Sequence, residues 1–131
     1  MTIVLDTNVL LVAVARSSSL FPIFVALLRG DFTLAVTNDI LLEYEEILSR
    51  KLGQNAANKI LTLLLSLENV VRVDTWFFWE LIQQDIDDNK FVDCAIACNA
   101  THVVTDDKHF RILEEIVFPS VSVISSQDFL S

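Results

Sequence analysis

The chain predicts an α/β fold with a central, mostly parallel sheet covered by helices on both faces, and three observations carry that expectation. Short apolar runs alternate with helical patterns from one end to the other. Two of those runs, Ile3-Val4-Leu5 and His102-Val103-Val104-Thr105, lead into an aspartate that opens a helix: Asp6, and the Asp106-Asp107 pair. Open α/β sheets place their chemistry outside the carboxyl ends of such strands. Composition agrees, since 53% of the 131 residues are hydrophobic and Gly and Pro number only two each, which predicts one compact domain over residues 1–131 with a sizeable core.

The elements follow in order. Thr2–Leu5 reads as a strand, Asn8–Val14 as a helix, Ser17-Ser18-Ser19 as a break, Leu20–Leu28 as a helix and Thr33–Val36 as a strand. Thr37 or Asn38 caps an amphipathic helix over Asp39–Leu52; Gly53 turns the chain into a helix over Asn55–Leu67, and Val70–Val73 is a strand. The aromatic stretch Trp76–Ile82 fits helix or strand equally, and Asp85–Asp88 is a charged loop. Helix Asn89–Ala100, strand His102–Thr105, helix Lys108–Glu115, strand Val121–Ile124 and a short turn or helix at Gln127–Leu130 complete the chain. There are no repeats and no low-complexity linker.

Composition also excludes classes. The longest apolar runs, such as Ile60 to Leu67, are interrupted by Thr62 and Ser66 and are too short to span a bilayer, so a soluble cytoplasmic protein without a membrane partner is expected. Cys94 and Cys98 lie four apart on one helical face, a spacing that suits core filling rather than a disulfide or a metal site. A net charge of −9 opposes high-affinity, non-specific nucleic-acid binding through Lys and Arg. It leaves room for an enzyme whose bound cations supply local positive charge, and for an acidic protein held by a basic partner.

The acids are clustered, and each has a structural and a chemical reading. Asp6 or Asp107 alone is a helix cap worth about 1 kcal/mol. Two such junctions in one sheet point to a shared site. Asp93 is the one charged residue in Phe91-Val92-Asp93-Cys94-Ala95-Ile96-Ala97-Cys98, a stretch apolar nearly all round. Burying it costs several kcal/mol unless it is paired or bound to a cation. Lys90 at i−3 offers the ion pair, and the burial argument favours the cation. On Asp39–Leu52 the apolar stripe is Ile40, Leu41, Tyr44, Ile47, Leu48 and Leu52; it leaves Glu46 opposite, with Glu43 and Glu45 flanking, and does not choose between those two. Hard oxygen ligands without His or Cys suit Mg²⁺ or Mn²⁺ rather than zinc, and a pair of such ions performs phosphoryl transfer.

The pattern resembles the PIN-domain ribonucleases, in particular the small single-domain, VapC-like toxins of toxin–antitoxin pairs. It is carried by Val4-Leu5-Asp6-Thr7-Asn8-Val9-Leu10, Leu42-Glu43-Tyr44-Glu45-Glu46-Ile47-Leu48, Asp85-Ile86-Asp87-Asp88-Asn89-Lys90-Phe91-Val92-Asp93-Cys94-Ala95 and Val103-Val104-Thr105-Asp106-Asp107-Lys108-His109-Phe110. Each segment is a weak signal, and the four in order are a strong one covering essentially the whole chain.

The resemblance implies a three-layer α/β/α fold whose acidic quartet binds Mg²⁺ or Mn²⁺ and cleaves RNA with metal-activated water. Carried over by position, the quartet is Asp6, Glu43, Asp93 and Asp107, and the match selects Glu43 over Glu45. Thr7, Asn8 and Thr105 fall at supporting polar positions, expected to hydrogen-bond the carboxylates. Asp106 and Asp88 are expected as supporting acids. Arg16, Lys90, Lys108 and Arg111 are the expected phosphate contacts, with His109 a possible substrate contact or a surface His. The resemblance further implies an antitoxin partner and a homodimer, with Phe21, Phe24 or the Trp76–Trp79 aromatics at an interface or in the core. Two other classes compete: a catalytically silent module that keeps the fold, and a receiver-like domain phosphorylated on Asp. The receiver reading needs paired acids early, where this chain has Asp6 alone.

Overall fold

The computed structural model describes residues 1–131. Five strands, all parallel, form one sheet in the order β3-β2-β1-β4-β5: β1 is Thr2–Leu5, β2 Thr33–Val36, β3 Val70–Arg72, β4 His102–Val104 and β5 Val123–Ile124. Ile3 sits beside Leu34 on one side and His102 on the other, which makes β1 central. Ile3, Val4, Leu5, Leu34, Ala35, Val36, Val103 and Val104 are all buried, the unbroken burial of strands covered on both faces.

Handedness places the covering helices. α1 (Thr7–Ala13) and α2 (Phe21–Leu28) lead from β1 to β2, and α3 (Asn38–Leu52) and α4 (Gln54–Ser66) lead from β2 to β3, both steps running the same way along the sheet. The return to β4 through α5 (Asn89–Cys98) runs the other way, past β2 and β1. Right-handed crossovers in opposite directions put helices on opposite faces, which produces the three α/β/α layers expected from the sequence. α6 (Ser126–Leu130) closes the chain, and no helix is long and apolar enough to cross a membrane.

The helix ends obey local chemistry. The Thr37 hydroxyl, rather than Asn38, caps α3 by accepting the Ile40 N–H at 3.1 Å, and Gly53 at φ 91° ends the same helix in a conformation that side chains disfavour. α5 ends at Cys98 with the left-handed Asn99 as its cap, two residues short of the expected boundary at Ala100. Cys94 and Cys98 are free thiols on that helix.

Three expectations change. Trp76–Ile82 is neither helix nor strand. It is pinned at its end by Asn89, whose side chain accepts the Ile82 N–H at 2.9 Å and donates to the Ile82 carbonyl at 2.8 Å. Trp76, Phe77 and Phe78 consequently project outward, while Phe24 is core. Lys108–Glu115 is a 3₁₀ helix rather than an α-helix, and its three-residue period keeps Phe110 and Leu113 together against the core. The charged loop Asp85–Asp88 contains a 3₁₀ turn over Ile86–Asp88, opened by the Asp85 side chain accepting the Asp87 N–H at 3.2 Å.

Candidate active site

The strand order departs from β1 in both directions, so the junction of β1 with β4 is the switch point of the sheet, where the first loops diverge and leave a crevice. Asp6 and Thr105 are the residues that follow these two strands. The Asp6 N–H donates to the Val104 carbonyl at 3.0 Å, which continues the parallel ladder one residue past β1. The Asp6 carboxylate does not cap α1. Instead its Oδ2 accepts the Thr105 hydroxyl at 2.7 Å, and the same hydroxyl accepts the Asp107 N–H at 3.0 Å. One threonine thus fixes both strand-end acids.

Glu43 reaches this crevice because Tyr44, its neighbour on α3, is fully buried and donates its hydroxyl to the Leu5 carbonyl at 2.7 Å. That bond clamps the middle of α3 to the end of β1, one residue before Asp6. Tyr44 was legible in the sequence only as part of the apolar stripe, since periodicity carries no hydroxyl partner. Glu43 Oε2 accepts the Thr7 hydroxyl, and Lys90 Nζ lies 2.9 Å from Glu43 Oε1. Glu45 and Glu46 are exposed, and Glu46 pairs with Arg50. The Lys90 side chain therefore answers Glu43, and the Lys90–Asp93 pair, the lesser alternative for Asp93, does not form.

Asp88 and Asp107 complete the acid group. Asp88, at the N-terminus of α5, is 8% exposed, and burial pushes its carboxyl up to about 8, helped by the negative charges of Asp85, Asp107 and Asp6. Burial likewise raises Asp6, with Glu43 and Asp107 adding to the rise and the Thr105 hydrogen bond opposing it. Asp107 does cap its 3₁₀ helix, accepting the His109 N–H at 2.9 Å, so capping and site membership coexist in one side chain. Ligand atoms of Asp85, Asp88, Asp107 and His109 all lie within 4.8 Å of one another. Asp85 was read from the sequence only as loop charge.

Asp93, the remaining member of the expected quartet, has a protein partner of its own. Asp93 is buried, yet its Oδ1 accepts the Trp79 N–H at 3.1 Å, and Glu80, rather than any acid of the crevice, adds to the rise that burial gives its pKa. Asp88 caps the start of α5 and Asp93 lies five residues further on, a rotation of about 140° along a helix, so the two side chains leave in different directions. The sequence argument about a buried carboxylate omitted a backbone N–H from the irregular aromatic segment as its partner.

The remaining candidates divide similarly. Asp106 is tied to Ser126, accepting its N–H at 2.9 Å and its hydroxyl at 2.7 Å, and so anchors α6 rather than facing the other acids. Asn8 and Arg16 are exposed. Lys108, His109 and Arg111 line a cavity of about 500 Å³ with Gln83 and Gln84, which sets two cations beside His109.

Two buried atoms in the crevice, Asp88 Oδ2 and His109 Nδ1, have no hydrogen-bond partner. Orphaned ligand atoms beside several carboxylates fit a divalent cation, because a closely spaced acid group without a counter-charge is costly to bury. Oxygen donors dominate the set, which suits a hard ion.

An acid crevice at the switch point of an all-parallel, three-layer sheet defines the class: a PIN-like α/β protein. The chain belongs to the PIN domain family, whose model matches residues 2–109. Among solved structures it is similar to VapBC2 from Rickettsia felis bound to a DNA fragment from their promoter, with 21% identity, a TM-score of 0.66, and coverage of 95% of this chain and 98% of that one. It is also similar to VapC20 from Mycobacterium tuberculosis, a Sarcin-Ricin loop cleaving toxin, with 14% identity, a TM-score of 0.58, and coverage of 83% and 93%. No curated protein matches the chain. Family membership replaces the receiver-like alternative.

Proposed function

We propose that this protein is a metal-dependent endoribonuclease that hydrolyses RNA phosphodiester bonds and serves as the toxin of a toxin–antitoxin pair. The observation that supports it most is the convergence of Asp6, Asp88 and Asp107 at the switch point, with a buried carboxylate oxygen left without a partner. The ligand set we assign is Asp6, Asp88 and Asp107, with Glu43 at its margin. A divalent ion, Mg²⁺ or Mn²⁺, bound there supplies Lewis acidity toward a phosphate oxygen and acidifies water.

The chain's own residues do the positioning. Thr105 satisfies one oxygen of Asp6 and leaves the other for ligation. Thr7 and Lys90 each engage one oxygen of Glu43 and hold its side chain in a largely buried position. Lys108 and Arg111, in the adjoining cavity, are placed to receive flanking phosphates, which offsets locally an overall charge of −9.

The toxin reading is supported by VapC20, a Sarcin-Ricin loop cleaving toxin, and by VapBC2, which share the fold. An antitoxin or a second copy of the chain has exposed Trp76, Phe77, Phe78 and Phe118 to cover. A cytoplasmic location is part of this reading. A silent binding module is the second reading. The test is incubation with a panel of single-stranded RNAs plus Mn²⁺ or Mg²⁺, beside an EDTA control and Asp6→Asn. Cleavage lost in both controls is the expected result; cleavage that survives Asp6→Asn overturns the assignment, and metal binding without any cleavage favours the silent module.

A further inference from the structure

Two of the acids assigned above stand apart from the atoms that most lack partners. Glu43 is engaged at both oxygens, by Thr7 and Lys90, and Asp6 gives one oxygen to Thr105. The atoms gathered within 4.8 Å belong to Asp85, Asp88, Asp107 and His109. Among them Asp88 Oδ2 and His109 Nδ1 are buried and unpartnered, on an aspartate that is 8% exposed.

The spacings distinguish ligand edges from hydrogen bonds. His109 Nδ1 lies 3.4 Å from Asp107 Oδ1 and 3.9 Å from Asp88 Oδ2. Both separations exceed the range of an N–H···O bond. An octahedral ion with ligands at about 2.1 Å holds neighbouring donor atoms about 3.0 Å apart and opposite ones about 4.2 Å apart, which brackets both values. The His109 N–H, bonded to Asp107 Oδ1 at 2.9 Å, fixes the root of the imidazole beside that carboxylate.

We propose that His109 Nδ1 joins Asp88 and Asp107 as a ligand to one divalent ion, with Asp85 at its edge, and that this nitrogen biases the site toward Mn²⁺ and other first-row transition ions over Mg²⁺. The inference rests on reading the acid crevice as a metal site. Mg²⁺ takes oxygen donors and dehydrates reluctantly, whereas imidazole suits transition ions, so one nitrogen shifts the preference. The ring carries its proton on Nε2 in this role. His102, the other histidine, has its Nδ1 2.7 Å from the Ser122 hydroxyl and takes no part.

The test is pulsed electron paramagnetic resonance of the full chain loaded with Mn²⁺. The expected result is modulation from a directly coordinated ¹⁴N, retained in His102→Ala and lost in His109→Ala and His109→Gln. Alongside it, Mn²⁺ affinity read from the free-ion signal falls about tenfold in His109→Ala, while affinity for competing Mg²⁺ changes by less than about twofold. Bound Mn²⁺ without nitrogen coupling in the unaltered protein overturns this inference alone and leaves the acid site standing. Failure to bind Mn²⁺ at all overturns both. Because the first readout needs no variant, a folding defect in His109→Ala does not rescue the proposal.

Discussion

The Thr105 hydroxyl donates to Asp6 Oδ2 at 2.7 Å while accepting the Asp107 N–H at 3.0 Å, so one side chain sets the spacing between the acids of two adjacent strand ends. Asp6 and Thr105 are 99 residues apart in sequence and become neighbours only through the β1–β4 pairing.

Thr105→Val removes that bridge at nearly constant volume. It leaves a buried carboxylate short of a donor, so stability falls by about 2 kcal/mol, measured by urea unfolding. RNA cleavage falls about tenfold to a hundredfold, as for other groups that orient ligands. Thr105→Ser restores most of both. Unchanged cleavage in the Val variant contradicts the positioning role.

Asp88→Asn and Asp93→Asn separate the two acids of the α5 region. The first is expected to abolish divalent-dependent cleavage, while the second keeps cleavage within about threefold, since Asn at 93 still accepts the Trp79 N–H. The reverse ranking, read from initial rates under one metal concentration, reinstates Asp93 as a ligand.

Stability of the metal-free protein is expected to fall as pH rises. Asp88 is raised to about 8, and Asp6 and Asp93 are also raised, chiefly by burial, so the folded state binds more protons than the unfolded chain across this window. The Asp88 contribution is complete below the ordinary carboxylate value of 3.8 and is lost progressively as pH climbs toward 8. Thermal unfolding in a chelator should show a declining Tm over that range, flattened in Asp88→Asn. Saturating Mn²⁺ should raise Tm most at the alkaline end, because the ion binds the ionised acids. A Tm that climbs with pH in chelator refutes this account.

Lys90 and Glu43 approach to 2.9 Å, with their side chains 22% and 20% exposed. A double-mutant cycle of Lys90→Met and Glu43→Gln should return a coupling of about 1 kcal/mol, above that of an exposed pair and reduced by added salt. A coupling near zero indicates that Lys90 is free to meet substrate instead.

The acids at the strand ends were readable from local sequence, for a definite reason. Asp6 and Asp107 stand at strand ends, and a strand end is marked locally by an apolar run that stops. Glu43 needed the family pattern, because helical period placed it and Glu45 symmetrically about the stripe. The choice is made in space by Tyr44, whose hydroxyl bond to Leu5 turns Glu43 toward β1. Asp88 and Asp93 belong to one short segment, and the sequence pattern put Asp93 in the quartet and Asp88 in support. Burial flagged Asp93 correctly, but the partner that satisfies it is a backbone N–H fourteen residues earlier.

The sequence by itself determined the alternating elements, the mostly parallel sheet covered on both faces and the strand-end acids, since apolar period and caps are properties of short stretches of chain. Only the tertiary structure decided which acids meet. Strand order brings Thr105 to Asp6, a hydroxyl fixes the rotation of α3, and the loop before α5 carries Asp85 and Asp88 to Asp107 and His109. Those contacts depend on relative orientations that no local pattern encodes.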